Sequence, residues 1–121
     1  MTDDELIRAV AEEVMGYKED IRTLDIRGYY RNVRVWISPN EDAIPYNDFD
    51  PIDDISHAWM VVERMRELGW AFKIWSYHAG EFNVFFMNDM RNGEEFRAVD
   101  GTAGRAICLA AWEAMMGGDI S

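Results

Sequence analysis

The hydrophobic positions near the N-terminus recur every three to four residues, as they do on one face of an α-helix. These positions are Leu6, Ile7, Val10, Val14 and Met15. Thr2 and Glu5 have the spacing of a capping box, and the acidic residues after Thr2 complement the positive end of a helix dipole. Gly16 stands where a left-handed glycine often ends a helix. The pattern therefore predicts a first helix of about three and a half turns.

The period of the pattern changes to two in the next segment. Every second residue over 33–37 is β-branched, which is typical of a half-buried strand. A similar pattern over 21–26 predicts an earlier strand. The turn between the two strands is expected at Gly28 or at Arg31-Asn32.

A second helix is predicted after this region, beginning at Asp53 or Asp54 and ending at Gly69. Its apolar residues at helical spacing are Ile55, Ala58, Trp59, Val62, Met65 and Leu68. Three further strands are predicted near residues 70–75, 82–87 and 96–99. Turn residues separate them at 78–81 and at Asn92-Gly93.

The last helix is predicted from about Thr102 to Met116, with a face of small residues, and Gly117 and Gly118 are expected to end it. The predicted order is α-β-β-α-β-β-β-α, which is typical of an α+β fold. We expect one domain over residues 1–121, in which an antiparallel sheet of about four or five strands has helices packed on its faces.

Charge and composition exclude several classes of function. The chain has 23 acidic and 12 basic residues and a formal charge of −11. Direct nucleic-acid binding rests on Lys and Arg and is therefore not expected, and anionic membrane surfaces are disfavoured for the same reason. No signal peptide or membrane-spanning run is evident, and one cysteine cannot form an internal disulfide. We therefore expect a cytoplasmic protein in which Cys108 is a buried structural thiol.

Three segments resemble the phage α-β-α sandwich domain family, whose members are small proteins of tailed phages and prophages. They are AVAEEVMGY over residues 9–17, DDISHAWMVVERMRELGWAFKI over 53–74 and TAGRAICLAAWEAM over 102–115. The resemblance implies an α-β-α sandwich and a phage origin, and it brings no catalytic residues with it. The family connector before the second helix is usually shorter and less acidic than residues 41–54 here.

The first candidate site is the segment 39–54, which contains all three prolines and no basic residue. A loop of this length with no secondary structure of its own is often functional. Its candidate partner-binding residues are Glu41, Asp42, Tyr46, Asp48, Phe49, Asp50, Asp53 and Asp54. The carboxylates would steer a host protein with a basic surface, and the two aromatic residues would anchor it. A solvated loop that maintains solubility and a calcium loop without the usual glycine are the alternatives.

The second candidate site combines arginines with aromatic residues, namely Arg27, Tyr29, Arg31, Arg34 and Trp36. Guanidinium groups bind phosphate and aromatic rings stack on bases, so a small nucleotide is a conceivable ligand. The alternatives are that these arginines pair with the carboxylates of the protein itself or contact a protein. Thr102 is expected to cap the last helix rather than to form an anion site with Gly101 and Gly104.

No catalytic, metal or cofactor site is predicted. His57 and His78 are the only histidines, and no nucleophile motif surrounds Ser56. We expect a non-enzymatic phage accessory protein that binds a host component, for example an inhibitor of antiviral defence whose acidic surface mimics nucleic acid. A module that sequesters a nucleotide and a phage structural or assembly protein are the alternatives, and a homo-oligomer is compatible with each.

Overall fold

A computed structural model describes residues 1–88 and 93–116 of the chain. Its helices and strands, in chain order, are α1 Asp3–Ala9, β1 Lys18–Ile26, β2 Tyr29–Ile37, β3 Ala43–Pro45, α2 Ile55–Glu67, β4 Ala71–Trp75, β5 Phe82–Asn88, β6 Glu94–Asp100 and α3 Ala103–Met115. The α+β class is confirmed. None of the helices in this part of the chain combines the length and the apolar character needed to cross a membrane.

The first helical segment, which consists of α1 and the π-helical turn after it, starts and ends where predicted. The Thr2 hydroxyl accepts a hydrogen bond from the Glu5 amide at 3.2 Å, and Gly16 has φ +71°. After α1 the chain continues as a π-helical turn over Val10–Val14, in which the Met15 amide donates to the Val10 carbonyl. Val10 and Val14 of this turn are buried in the core.

The prediction of one sheet with four or five strands is wrong, because six strands form two sheets in the described residues. The first sheet has the order β1-β2-β3 and the second has β4-β5-β6, and all pairs are antiparallel. The short strand β3 pairs with the free edge of β2, so this edge is not available to the second sheet. A strand as short as β3 has too few alternating positions for the sequence pattern to predict it.

The central element of the core is α3, which packs on β5, β6, α2 and the π-helical turn. Its buried face is made of small residues, as predicted, together with Ile107 and Cys108. Helix α2 contacts β4, and from the first sheet Trp36 is buried in the same core. The two helices α2 and α3 thus lie on one face of the second sheet.

The face of α2 that points into the core differs from the predicted one. Val61 is fully buried, whereas Ile55, Trp59 and Leu68 are exposed. The buried stripe of α2 consists of Ala58, Val61, Val62 and Met65 and is therefore narrow. Of the exposed residues, Trp59 still contacts Phe72 of β4 edge-on, with the ring centres 5.7 Å apart. Asp54 rather than Asp53 caps the helix, and its carboxylate accepts from the Ser56 amide at 2.9 Å.

The segment predicted as an unstructured loop is ordered and partly buried. It contains β3 and a 3-10 turn over Tyr46–Asp48, and Phe49, Pro51 and Ile52 are buried. The carbonyls of Pro51 and Ile52 lie directly over Gly104 of α3. A Cβ atom built on Gly104 would be 2.3 Å from the Ile52 oxygen, so glycine is sterically required there.

Of the two turns proposed between β1 and β2, the one at Gly28 is correct. Arg27 and Gly28 form a two-residue turn in which both have positive φ, 52° and 85°, and the Asp25 carboxylate accepts from the Gly28 amide. Asn92 of the proposed Asn92-Gly93 turn, and the helix end at Gly117 and Gly118, lie outside the described residues.

Replacing Arg27 by asparagine is expected to stabilise the protein. Asparagine tolerates the left-handed backbone of this turn better than arginine, so R27N should raise the free energy of unfolding by about 0.5–1 kcal/mol. Urea denaturation measures the change. R27A is the matched control, because it removes the charge but keeps a Cβ atom; an equal gain in R27A would show that charge, not backbone conformation, is responsible.

Replacing Gly104 by alanine tests the contact between α3 and residues 51–52. Helix propensity alone predicts a gain of about 1 kcal/mol, whereas the steric overlap predicts a loss of about 1–3 kcal/mol. We expect the loss, measured by urea denaturation. G101A is the control, since its Cβ would lie 3.4 Å from the Gly80 oxygen. A stabilised G104A would contradict the close packing of this segment.

Candidate functional site

The beginnings of all three helices lie close together at one end of the fold. Arg105, in the first turn of α3, donates to Asp3 of α1 and to Asp100, both at 2.9 Å, and to the Met1 carbonyl. The chain leading into α2 crosses over Gly104 in the same region. Thr102 caps α3 as predicted, through a hydrogen bond from the Arg105 amide.

Five carboxylates gather at this end of the fold, and we call them the acidic edge. They are Asp3, Asp4, Asp50, Asp53 and Asp54. Asp50 and Asp53 are in direct contact, because the Asp50 carboxylate accepts a hydrogen bond from the backbone amide of Asp53 at 3.2 Å. The Asp50 amide donates to Nδ1 of His57 at 3.0 Å, and Nε2 of this histidine lies 3.7 Å from the Asp54 carboxylate.

Two carboxylates that are adjacent in sequence have opposite electrostatic environments. The pKa of Asp54 is lowered because its carboxylate accepts hydrogen bonds from the Ser56 hydroxyl and amide. The pKa of Asp53 is raised, first by the negative charge of Asp50 and then by desolvation, the hydrogen bond with Asp50 and the charge of Asp3. The fold therefore favours the ionised form of Asp54 and disfavours that of Asp53.

Helix dipoles explain only part of the acidic edge. Asp3 and Asp4 lie in the first turn of α1 and Asp54 caps α2, where negative charge stabilises a helix. Asp53 lies one residue before the cap and is exposed, yet its neighbours destabilise its charge. Its carboxylate is therefore not accounted for by the stability of the isolated protein.

A cavity of about 360 Å³ opens beside the acidic edge. The residues around it are Asp4, Ile7, Arg8, Arg34, Tyr46, Asn47, Phe49 and Asp50. The Arg34 guanidinium lies 4.0 Å from the centre of the Tyr46 ring, which itself stacks on Trp36 at 4.9 Å. The cavity therefore combines an aromatic wall with both signs of charge.

The two arginines at this cavity share the carboxylate of Glu19, and Arg8 also pairs with Glu12 at 3.2 Å. Arg8 and Arg34 both bond to Glu19, Arg8 at 2.6 Å, and the bond from Arg34 is the largest cause of the lowered pKa of Glu19. Arg22 likewise pairs with Asp20 at 3.1 Å. Both Arg34 and Arg22 thus pair with carboxylates of the protein itself, which for Arg34 is one of the alternatives that the sequence left open.

Only part of the acidic candidate set comes together. Glu41 and Asp42 belong to the turn after β2, and Asp42 shares a different cavity with Met60, Arg64 and Glu67. Asp48 is exposed and lies beside Arg34 and Tyr46 in a third cavity. The carboxylates of residues 39–54 therefore lie in three places instead of forming one surface.

The two predicted aromatic anchors have different fates. Phe49 is only 3% exposed and packs edge-on against Tyr17, with His57 stacked on it, so the prediction of an exposed anchor is wrong for this residue. Its burial supports the crossing of the segment over α3. Tyr46 is half-buried and still lines the cavity.

The arginine and aromatic residues of the second candidate set do not form one site. Arg27 and Tyr29 lie at the tip of the β1-β2 hairpin, whereas Trp36 is fully buried near its base. Seven residues of extended chain separate Tyr29 from Trp36 by about 23 Å. Arg31 is exposed on the face of Tyr29, and Arg34 lies on the other face. No single small ligand spans this distance.

Sequence reasoning assigned Asp3 and Asp4 to the helix dipole and did not place them near Asp50 and Asp53. Only the contact of α1 with the start of α3, through Arg105, brings them there.

Cys108 is buried as predicted, and desolvation raises its pKa to about 12. Across residues 1–88 and 93–116, no three His, Cys, Asp or Glu side chains form a group suited to a metal ion.

Comparison with protein families finds that the model of the phage ABA sandwich domain matches residues 8–112, most of the chain. Comparison with curated proteins and with solved structures finds no match. The matched region contains β1 to β6, α2 and nearly all of α3, together with every carboxylate of the acidic edge except Asp3 and Asp4.

The substitution D53N is expected to raise the thermal unfolding temperature at pH 7. Because the pKa of Asp53 is higher in the folded than in the unfolded state, its contribution to stability is lost as pH rises through the folded pKa. The gain in unfolding temperature of D53N should therefore be present at pH 7 and disappear below pH 3.8, the ordinary pKa of an aspartate. D54N is the control and should lower the unfolding temperature at pH 7. A destabilised D53N would contradict the crowding of charge at this position.

Proposed function

Because this chain belongs to the phage ABA sandwich domain family, we propose that it acts as a non-enzymatic phage accessory protein in the host cytoplasm. It binds a host protein by presenting the acidic edge to a basic surface of that protein. The observation that carries this proposal is Asp53, an exposed carboxylate whose charge is destabilised by Asp50 and Asp3. A cationic partner would relieve this repulsion on binding.

The sequence around the acidic edge supports the same function. Residues 35–63 contain seven acidic residues and no lysine or arginine. Asp3, Asp4, Asp53 and Asp54 are exposed, so their field reaches the solvent and would increase the rate of encounter with a basic partner. Arg105 neutralises part of the charge of Asp3, which leaves the other four to contact the partner.

The cavity beside the acidic edge gives the partner a place to anchor. Asp4 and Asp50 lie on its wall together with Tyr46 and Asn47. A lysine or arginine of a partner would find two carboxylates there, and carboxylates bind such side chains through charge-assisted hydrogen bonds. Arg8 and Arg34 do not compete for these carboxylates, because both are bonded to Glu19.

The host proteins that best fit this surface are those with basic grooves for nucleic acid. Closely spaced carboxylates imitate the charge of a phosphate backbone, which carries about one negative charge per 1.7 Å of duplex. We therefore propose that the target is a nucleic-acid-binding protein of host antiviral defence. Inhibition would follow from occupation of its groove and requires no catalytic residue in the phage protein.

The proposal is tested with two variants that remove the same number of charges. D50N/D53N removes two of the five charges of the acidic edge, and E41Q/D42N removes the two charges of the turn after β2. Asparagine at position 50 keeps an oxygen that accepts the hydrogen bond from residue 53. Each immobilised protein is incubated with bacterial host lysate, and bound proteins are eluted with salt or with duplex DNA.

We expect the wild type and E41Q/D42N to retain a protein that both salt and duplex DNA release. D50N/D53N should lose it at least tenfold, because close charge pairs across interfaces contribute about 1.5 kcal/mol or more. D50N/D53N should also be at least as heat-stable as the wild type. Equal retention by D50N/D53N would overturn the proposal. Retention of phage proteins alone, when the same incubation uses a lysate of phage-infected cells, would also overturn it.

A further inference from the structure

The second sheet has one face that carries no helix in the part of the chain that the structure describes, and we call it the outer face. Val84 and Phe86 of β5 point towards α2 and α3 and are fully buried. Side chains alternate along a strand, so Asn83 and Phe85 belong to the opposite face. The register adds Lys73 and Trp75 from β4 and Arg97 from β6 to this outer face.

Two cations converge on one aromatic ring of the outer face. The Lys73 ammonium lies 5.1 Å, and the Arg97 guanidinium 5.7 Å, from the centre of the Trp75 ring. Arg97 also lies 6.0 Å from the Phe85 ring. Neither cation has a carboxylate within ion-pair distance in residues 1–88 and 93–116, although the protein has a formal charge of −11.

Two buried hydrogen-bond donors of the same face have no partner within residues 1–88 and 93–116. Asn83 is only 9% exposed, and its Nδ2 atom makes no hydrogen bond; the same is true of Nε1 of Trp75. These two residues are direct neighbours across β4 and β5. Buried polar groups almost always have a partner, so an adjacent pair without one indicates a site that a ligand completes.

We propose that the outer face binds a nucleoside monophosphate, a ligand that combines a planar base with one compact anion. When Lys73 and Arg97 move off the Trp75 ring, the base stacks on Trp75 and Phe85. The buried Nδ2 of Asn83 and Nε1 of Trp75 then become accessible and donate to the oxygen and nitrogen acceptors of the base. The phosphate replaces the aromatic ring as the partner of Lys73 and Arg97. These two cations start from strands about 10 Å apart, which is a distance that one nucleotide spans.

The surroundings favour a single nucleotide over larger ligands. A long polynucleotide would place many phosphates against a strongly acidic protein, whereas one phosphate needs only the two local cations. A stable protein interface buries about 800 Å² on each partner, more than this narrow three-stranded face provides. The one carboxylate of the outer face that the register places beside this site is Glu95, two residues before Arg97.

Isothermal titration with adenosine monophosphate tests the proposal, with adenosine and ribose 5-phosphate as probes of the base and the anion alone. K73Q/R97Q removes both cations of the site. K18Q/R66Q is the matched control, because Lys18 and Arg66 are exposed and lie on β1 and α2. W75F keeps an aromatic ring at this position and removes the Nε1 donor. Sedimentation velocity of each variant records the oligomeric state.

We expect the monophosphate to bind more tightly than either fragment and K73Q/R97Q to weaken it about tenfold or more. K18Q/R66Q should bind as the wild type does, and W75F more weakly. E95Q, an exposed substitution that leaves the fold unchanged, should bind more tightly. Absence of binding at millimolar concentration, equal binding by K73Q/R97Q, unchanged binding by E95Q, or a dimer that K73Q/R97Q dissociates would overturn the proposal.

Discussion

The arrangement of this protein depends on the contact between the backbone of residues 51–52 and Gly104. A side chain at position 104 would overlap the two carbonyls, so only glycine lets the segment cross the start of α3. The crossing buries Phe49, Pro51 and Ile52 and sets where α2 begins. It therefore also places Asp50 and Asp53 beside the N-terminus of α1. The acidic edge is a consequence of this one close approach.

Local signals were sufficient to predict the helices. The caps at Thr2 and Thr102 and the glycine at Gly16 act over a few residues, and the structure confirms each of them. The number of sheets depends on which strand edges meet, and β3, with three residues, is too short to leave a periodic signal. The sequence pattern thus predicted the fold class correctly but not the pairing of the strands.

The candidate site was predictable in composition but not in geometry. The acidic segment was identified from its charge, and its six carboxylates were all assigned to one partner-binding surface. The structure separates Glu41 and Asp42 from Asp50 and Asp53. It places Asp3 and Asp4, the first residues of α1, beside Asp50 and Asp53 instead. This placement depends on Arg105, whose partner lies about a hundred residues away in sequence. Phe49 satisfied the composition of an anchor, yet it is needed in the core.

Opposite charges are separated on this molecule. The acidic edge contains carboxylates that the fold itself does not neutralise, and the outer face of the second sheet contains cations that it does not neutralise either. Exposed ion pairs contribute only about 0–1 kcal/mol, so leaving these groups unpaired costs the fold little stability. Lys73 and Arg97 lie on a sheet face that no helix covers in the part of the chain that the structure describes, whereas the acidic edge lies where three helices begin. The fold thus keeps both sets apart, so each is available to a partner of the opposite charge.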